Sequence, residues 1–156
     1  MKERFSYTKA APKAAQAMFA LHKYVEDSGL EHSLLELVKT RASQINGCAF
    51  CLDMHTKDAR AGGETEQRLY LLNAWRETDF YTKRERAALA WTEAITLIAE
   101  THAPDADYEA VRAEFSEPEI VNLTMAIITI NGWNRLAIAF REEPGNYQPP
   151  KKPLEK

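Results

Sequence analysis

The sequence predicts an all-α protein, and three observations carry that expectation. Apolar residues recur at helical spacing along most of the chain, no window shows the strict alternation of a half-buried strand, and two capping boxes mark helix starts (Thr82 with Glu85, Ser116 with Glu119). A first helix is expected over 14–27, with Ala14, Ala17, Met18, Leu21 and Val25 on overlapping turns and Gly29 as its stop. A second starts near His32 or Ser33, carries Leu34, Leu37, Val38, Arg41 and Ile45, and ends at Asn46-Gly47 in a sharp corner. A third runs from Cys48 to about Ala61, where Gly62-Gly63 breaks the chain, and a fourth covers about 64–75. The Thr82 box opens a strong helix through about Ala99, a short one follows Pro104 over about 107–115, and the Ser116 box opens a last helix over 117–141. That last helix is apolar on more than one side, which predicts burial all round, by the core or by a second copy of the chain. Residues 142–156 form a Pro-rich tail expected to carry little structure.

One domain is expected over 1–156, since 156 residues suffice to bury a core. Hydrophobic residues make up 45%, charged residues 28%, and the net charge is −3 with acids and bases interspersed. There is no basic stripe, which argues against nucleic acid and against an anionic membrane surface as partners. The opening MKERFSYTKA lacks the apolar region of a secretory signal, and the longest apolar stretch, 120–140, is interrupted by Asn122, Asn131, Gly132, Asn134 and Arg135. A cytoplasmic location is therefore expected.

The two cysteines, Cys48 and Cys51, are three residues apart, and in a reducing compartment such a pair points to chemistry or to metal. On a helix at 100° per residue, Cys51 lies about 60° and His55 about 20° from Cys48, so the three share a face. His55 is also the i+4 neighbour of Cys51. A thiol becomes reactive as its thiolate, and the positive end of the helix dipole, the free N–H groups of a first turn and the imidazole all favour that form. A second cysteine one turn away can trap a sulfenic acid as a disulfide, provided the first turn tightens slightly. The same residues with Glu36 also have plausible zinc-ligand spacing, but structural zinc sites draw on two separated pairs and this sequence has no second one.

Glu36, eleven intervening residues, Cys48-x-x-Cys51, three residues and His55, within LLELVKTRASQINGCAFCLDMHTKDARAGG, resemble the AhpD-like branch of the alkylhydroperoxidase and carboxymuconolactone decarboxylase superfamily. The likeness covers about 14–99. It implies an all-helical fold assembling as trimers or hexamers, and a peroxiredoxin-type reduction of organic hydroperoxides. It further implies Cys51 as the peroxidatic thiol, Cys48 as the resolving one and His55 with Glu36 as the proton relay. A small hydroperoxide and a dithiol reductant protein are the partners, with no bound cofactor or metal. Well-studied members carry His immediately before the second cysteine, where this chain has Phe50. Phe50 cannot shuttle protons and is expected to pack in the core rather than shape a substrate pocket. Lactone decarboxylation, the other chemistry of the superfamily, belongs to members without the cysteine pair. A thiol–disulfide exchange or redox-sensing protein, and a metal-binding or structural oligomer, are the alternative readings.

Outside the motif, His22 and His32 are expected at the surface or an interface, His102 at a helix end, and Asp53 in solvent. Lys39 and Arg41 are expected to face solvent, Trp75, Trp91 and Trp133 to anchor packing, and Arg135 to pair with a carboxylate at an interface.

Overall fold

A computed structural model describes residues 2–150. The chain is all-helical, with no strand among the described residues. The elements are α1 (Tyr7–Ala10), α2 (Pro12–Glu26), α3 (His32–Asn46), α4 (Ala49–Ala61), α5 (Glu66–Leu71), a 3₁₀ turn (Leu72–Glu77), α6 (Lys83–Thr96), α7 (Ile98–Thr101), α8 (Asp105–Glu114) and α9 (Glu117–Phe140).

At the centre is α3, which packs against α4, α6 and α9. Seven consecutive residues, Leu34 to Thr40, are buried, so the helix has no solvent face over two turns. Leu34, Leu35 and Val38 meet Trp91 of α6 and Leu123 and Ile127 of α9 in the main core. On the other side Leu37 joins Leu72, Trp75 and Leu89. Most polar residues on this buried helix are paired: Ser43 Oγ donates to the Lys39 carbonyl at 2.7 Å, and Arg41 Nε donates to Glu93 at 2.8 Å, while the buried Thr40 hydroxyl has no partner among the described residues.

Both capping boxes form as expected, at Thr82/Glu85 and Ser116/Glu119. The corner after α3 turns on Gly47, whose φ of 69° lies in the left-handed region that glycine adopts without strain. Its N–H and that of Cys48 satisfy the carbonyls of Gln44 and Ser43. The chain reverses there, and α4 returns along α3 with its first residues against the middle of α9.

Several boundaries differ from the sequence expectation. The first long helix begins at Pro12, not Ala14; Pro12 occupies the first turn, where its missing N–H costs nothing. Ala14 and Ala17 are exposed, while Ala15 and Val25 are the buried contacts. The expected fourth helix splits into α5 and the 3₁₀ turn at Leu72, and the helix from Thr82 ends at Thr96, with Leu97 leaving helical geometry before α7. The apolar surface of α9 is only partly covered: Val121, Ile128 and Ile138 remain exposed, as does Phe19 of α2. Arg135 is exposed and, within the chain, donates to the backbone and side chain of Asn131. No helix among the described residues is long and apolar enough to cross a membrane.

The tail is better ordered than its composition predicts. Residues 142–150 contain no helix but run along α4: the Gly145 N–H donates to Asp53 at 2.9 Å, Lys57 Nζ donates to the Tyr147 carbonyl at 3.0 Å, and Tyr147 Oη donates to Asp58 at 2.7 Å. Asp53 is thus an anchor for this strap, not a solvated carboxylate. The rest of the tail, 151–156, lies outside the described residues.

Asn134 joins α9 to α3 in the interior: it is fully buried, accepts from Asn46 at 2.8 Å and donates to Ser43 at 3.0 Å. Asn134→Ala removes both bonds and leaves a small void, and is expected to cost about 2 kcal/mol in urea denaturation.

Candidate active site

Cys48 is not on the helix but caps it. Its backbone is extended (φ −85°, ψ 96°), its Sγ accepts the N–H of Cys51 at 3.3 Å, and α4 begins at Ala49. Cys51 is then the third helical residue. The extended cap, rather than a tightened turn, brings the two Cα atoms to 5.3 Å, and the sulfurs are joined in a disulfide. Both cysteines are 1% exposed. Cys48 sits among Ala42, Ile130 and Ala137. Cys51 is the member of the pair that lines a cavity of about 260 Å³ between α2, α4 and α9.

One turn on, His55 lies in the wall of the same cavity. Its Nδ1 is 3.0 Å from Glu36 Oε2, and both residues are buried. With Nδ1 as donor, the lone pair of the imidazole resides on Nε2. The other Glu36 oxygen accepts from Lys39 Nζ at 3.0 Å, and Lys39 donates a second time, to Glu26 of α2, at 2.5 Å. Lys39 is 4% exposed, so the expectation that it faces solvent fails. The pairing explains why: a buried ammonium is tolerable when two carboxylates flank it. Burial works against ionising Glu36, but the His55 hydrogen bond and the charges of His55 and Lys39 outweigh it and hold the carboxyl down to about 2. Burial likewise works against the Lys39 charge, and Glu36 and Glu26 reverse the balance and raise it.

Phe50, Phe19, Met54, Ile130 and Trp133 make the cavity predominantly apolar. Phe50 is half-buried: it packs against the small core cluster around Cys48, Cys51 and Ile130, as expected, and also forms part of that wall. Trp133 packs against Phe19 with ring centroids 5.1 Å apart and serves the cavity, whereas Trp75 and Trp91 are buried packing anchors. His22, expected at the surface, is half-buried and also reaches the cavity; burial, then the nearby Lys39 charge, lower its pKa. His32 is exposed, and His102 caps α7 in a left-handed conformation.

A second, more polar cavity of about 410 Å³ backs onto the first across His55 and Lys39 and is bordered by Asp58, Tyr147 and Pro149. Glu36, His55 and Asp58 bring one ligand atom each within 4.8 Å of one another. Both Glu36 oxygens are already engaged by His55 and Lys39, and Asp58 accepts from Tyr147. The disulfide removes both thiolates as ligands.

Glu36 is hydrogen-bonded to His55, and His55 and Cys51 line the same cavity. The spacing signal missed Lys39, three residues after Glu36 on the same helix face, and His22 from α2.

Residues 12–94 match the carboxymuconolactone decarboxylase family. The chain is 49% identical over 140 residues to the uncharacterized protein YdfG of Bacillus subtilis (strain 168), covering 90% of this chain and 95% of that one. It is 52% identical to a protein of unknown function from Agrobacterium tumefaciens, provisionally designated an AhpD antioxidant defence protein; that crystal structure superposes with a TM-score of 0.91 over 94% of this chain and 100% of the other. The debrominase Bmp8 shares the fold at a TM-score of 0.80 and 20% identity, over 89% of this chain and 75% of its own. This chain belongs to the carboxymuconolactone decarboxylase family, in its AhpD-like branch.

Proposed function

We propose that the chain is a thiol-dependent peroxidase that reduces organic hydroperoxides through a Cys51/Cys48 dithiol–disulfide cycle. The observation that carries this reading is the opening of Cys51, and not Cys48, onto an apolar cavity whose wall also holds His55 backed by Glu36. In the reduced protein, His55 takes the proton of Cys51. The thiolate attacks the terminal peroxide oxygen: an S–O bond forms, the O–O bond breaks, and the departing alkoxide takes up a proton to leave as alcohol. Cys48 then attacks the sulfenic acid, the S–S bond forms and water leaves. A dithiol reductant protein restores both thiols and is itself oxidised to a disulfide. The exposed Val121, Ile128, Ile138 and Phe19 support self-association, as trimers or hexamers in the manner of the branch. The working location is the cytoplasm, where a reducing pool can supply the dithiol.

Stoichiometry tests the reading. Reduced protein mixed with cumene hydroperoxide is expected to lose two thiols per chain for each peroxide consumed, forming one intramolecular disulfide. If the thiols persist in excess hydroperoxide yet exchange readily with a model disulfide, the protein is a thiol–disulfide exchange or sensing protein and the peroxidase assignment fails.

A further inference from the structure

Thiolate attack on a hydroperoxide moves negative charge from sulfur onto the departing oxygen. In a predominantly apolar cavity that oxygen needs a hydrogen-bond donor from the protein wall. Most polar groups facing the cavity already have partners: Tyr7 Oη donates to Glu142 at 3.1 Å, Thr129 Oγ1 donates to the Met125 carbonyl at 2.7 Å, and Thr8 Oγ1 pairs with Ser6 at 3.0 Å. Lys39 is different. Its ammonium has three N–H groups, of which Glu26 and Glu36 take two, and the third has no partner among the described residues. The side chain is 6% exposed and lines the cavity together with Cys51 and His55. Tethers from α2 and α3 fix the nitrogen in place, so it needs no reorganisation when charge develops.

On the peroxidase reading proposed above, we infer that Lys39 is the group that holds the departing oxygen of the hydroperoxide, through its third N–H. The electron pair of the broken O–O bond then comes to rest on an oxygen hydrogen-bonded to a buried cation. The proton that completes the alcohol is the one His55 took from Cys51. Glu36 touches both groups, so a single carboxylate sets the distance between the base that activates sulfur and the donor that receives the leaving group. His22 also reaches the cavity without a hydrogen-bond partner among the described residues. It is less buried, however, and its lowered pKa keeps it neutral at pH 7, which makes it the weaker donor to an alkoxide.

The test compares three reactions of the reduced protein by rapid mixing. Cumene hydroperoxide expels a strongly basic alkoxide, peracetic acid expels a weakly basic carboxylate, and iodoacetamide alkylates Cys51 with no oxygen leaving at all. Lys39→Met is expected to slow the cumene hydroperoxide reaction about 10²-fold and to change the peracetic acid and iodoacetamide reactions by less than about threefold. Lys39→Arg, which keeps a cationic donor, is expected to recover most of the loss. Should Lys39→Met not fold, Lys39→Gln, which keeps a donor for Glu36 but no charge, is read by the same criterion. Equal loss in all three reactions would make Lys39 merely a support for the relay and overturn the inference. So would a leaving-group-dependent loss in His22→Phe with none at Lys39. Wild-type protein that alkylates readily but reacts with neither peroxide would sink the peroxidase reading itself, a result distinct from either.

Discussion

Cys51→Ser is expected to abolish hydroperoxide turnover, a loss of at least about 10³-fold, while Cys48→Ser is expected to retain one turnover and then stall. The asymmetry follows from where the sulfurs sit. Serine oxygen cannot be oxidised by a hydroperoxide, so without Cys51 no thiol remains on the cavity wall to enter a dithiol–disulfide cycle; oxidation of Met54 there would be stoichiometric and not turn over. Cys48 cannot substitute for Cys51, because its sulfur is packed among Ala42, Ile130 and Ala137 behind the wall. Without Cys48 the first step still runs, but the sulfenic acid has no neighbour to condense with and is left for a small nucleophile to trap. Mass spectrometry after dimedone treatment is expected to show the adduct on Cys51 in Cys48→Ser and none in wild type. An adduct on Cys48 in the Cys51→Ser protein would reverse the two roles. On the proposed cycle the cap geometry also predicts the direction of re-reduction: an incoming thiolate is expected to attack Cys51, the sulfur on the cavity side, with Cys48 leaving as a thiolate that accepts the Cys51 N–H at the start of α4.

The sequence made the helix starts at Thr82 and Ser116, the corner at Gly47 and the i+4 placement of Cys51 and His55 on α4 legible because each is local. A cap, a left-handed glycine and an i+4 pair are set by residues a few positions apart. The location of the centre of the fold was not legible. Hydropathy singles out α9, yet α3 is the helix buried on all sides over Leu34 to Thr40, and it reads as polar because it carries Glu36, Lys39, Thr40 and Ser43. Most of those polar groups pair with one another or with groups on α2, α4 and α9, and such cancellation across helices leaves no periodic trace in a single segment. Lys39 was misread for the same reason: a lysine beside a glutamate on a helix is ordinarily a solvated pair, and only Glu26, thirteen residues earlier, shows that this one is buried. The C-terminal strap escaped notice because its bonds to Asp53 and Asp58 span about ninety residues of sequence. Phe50 and Trp133 pack against the core as a local window suggests; that they also wall the space between α2, α4 and α9 is a property of three helices together.

Glu36→Gln is expected to lower turnover about 10²-fold and to remove a component of stability that depends on acid pH. The carboxylate offers two acceptor oxygens, and both are used: Oε2 by His55 and Oε1 by Lys39. An amide of the same shape has one acceptor. If it serves His55, its NH₂ faces the Lys39 ammonium, donor against donor; if it serves Lys39, the imidazole loses the partner that fixes its tautomer. Either way the imidazole proposed above as the base for Cys51 is compromised while the backbone is untouched. The stability consequence has a definite sign. The Glu36 carboxyl is held down to about 2, against 4.5 when unperturbed, so the folded state favours the ionised form. That contribution is fully present above pH 4.5 and is lost as the pH falls toward 2. A depression of this size corresponds to roughly 3 kcal/mol, of which about 2 kcal/mol is gone by pH 3. In urea denaturation, wild type is therefore expected to exceed Glu36→Gln at pH 7 and to lose most of that advantage by pH 3. A stability gap that stays constant between the two pH values would mean that Glu36 is not held ionised by His55 and Lys39, and the relay would lose the fixed negative charge on which the activation of Cys51 depends.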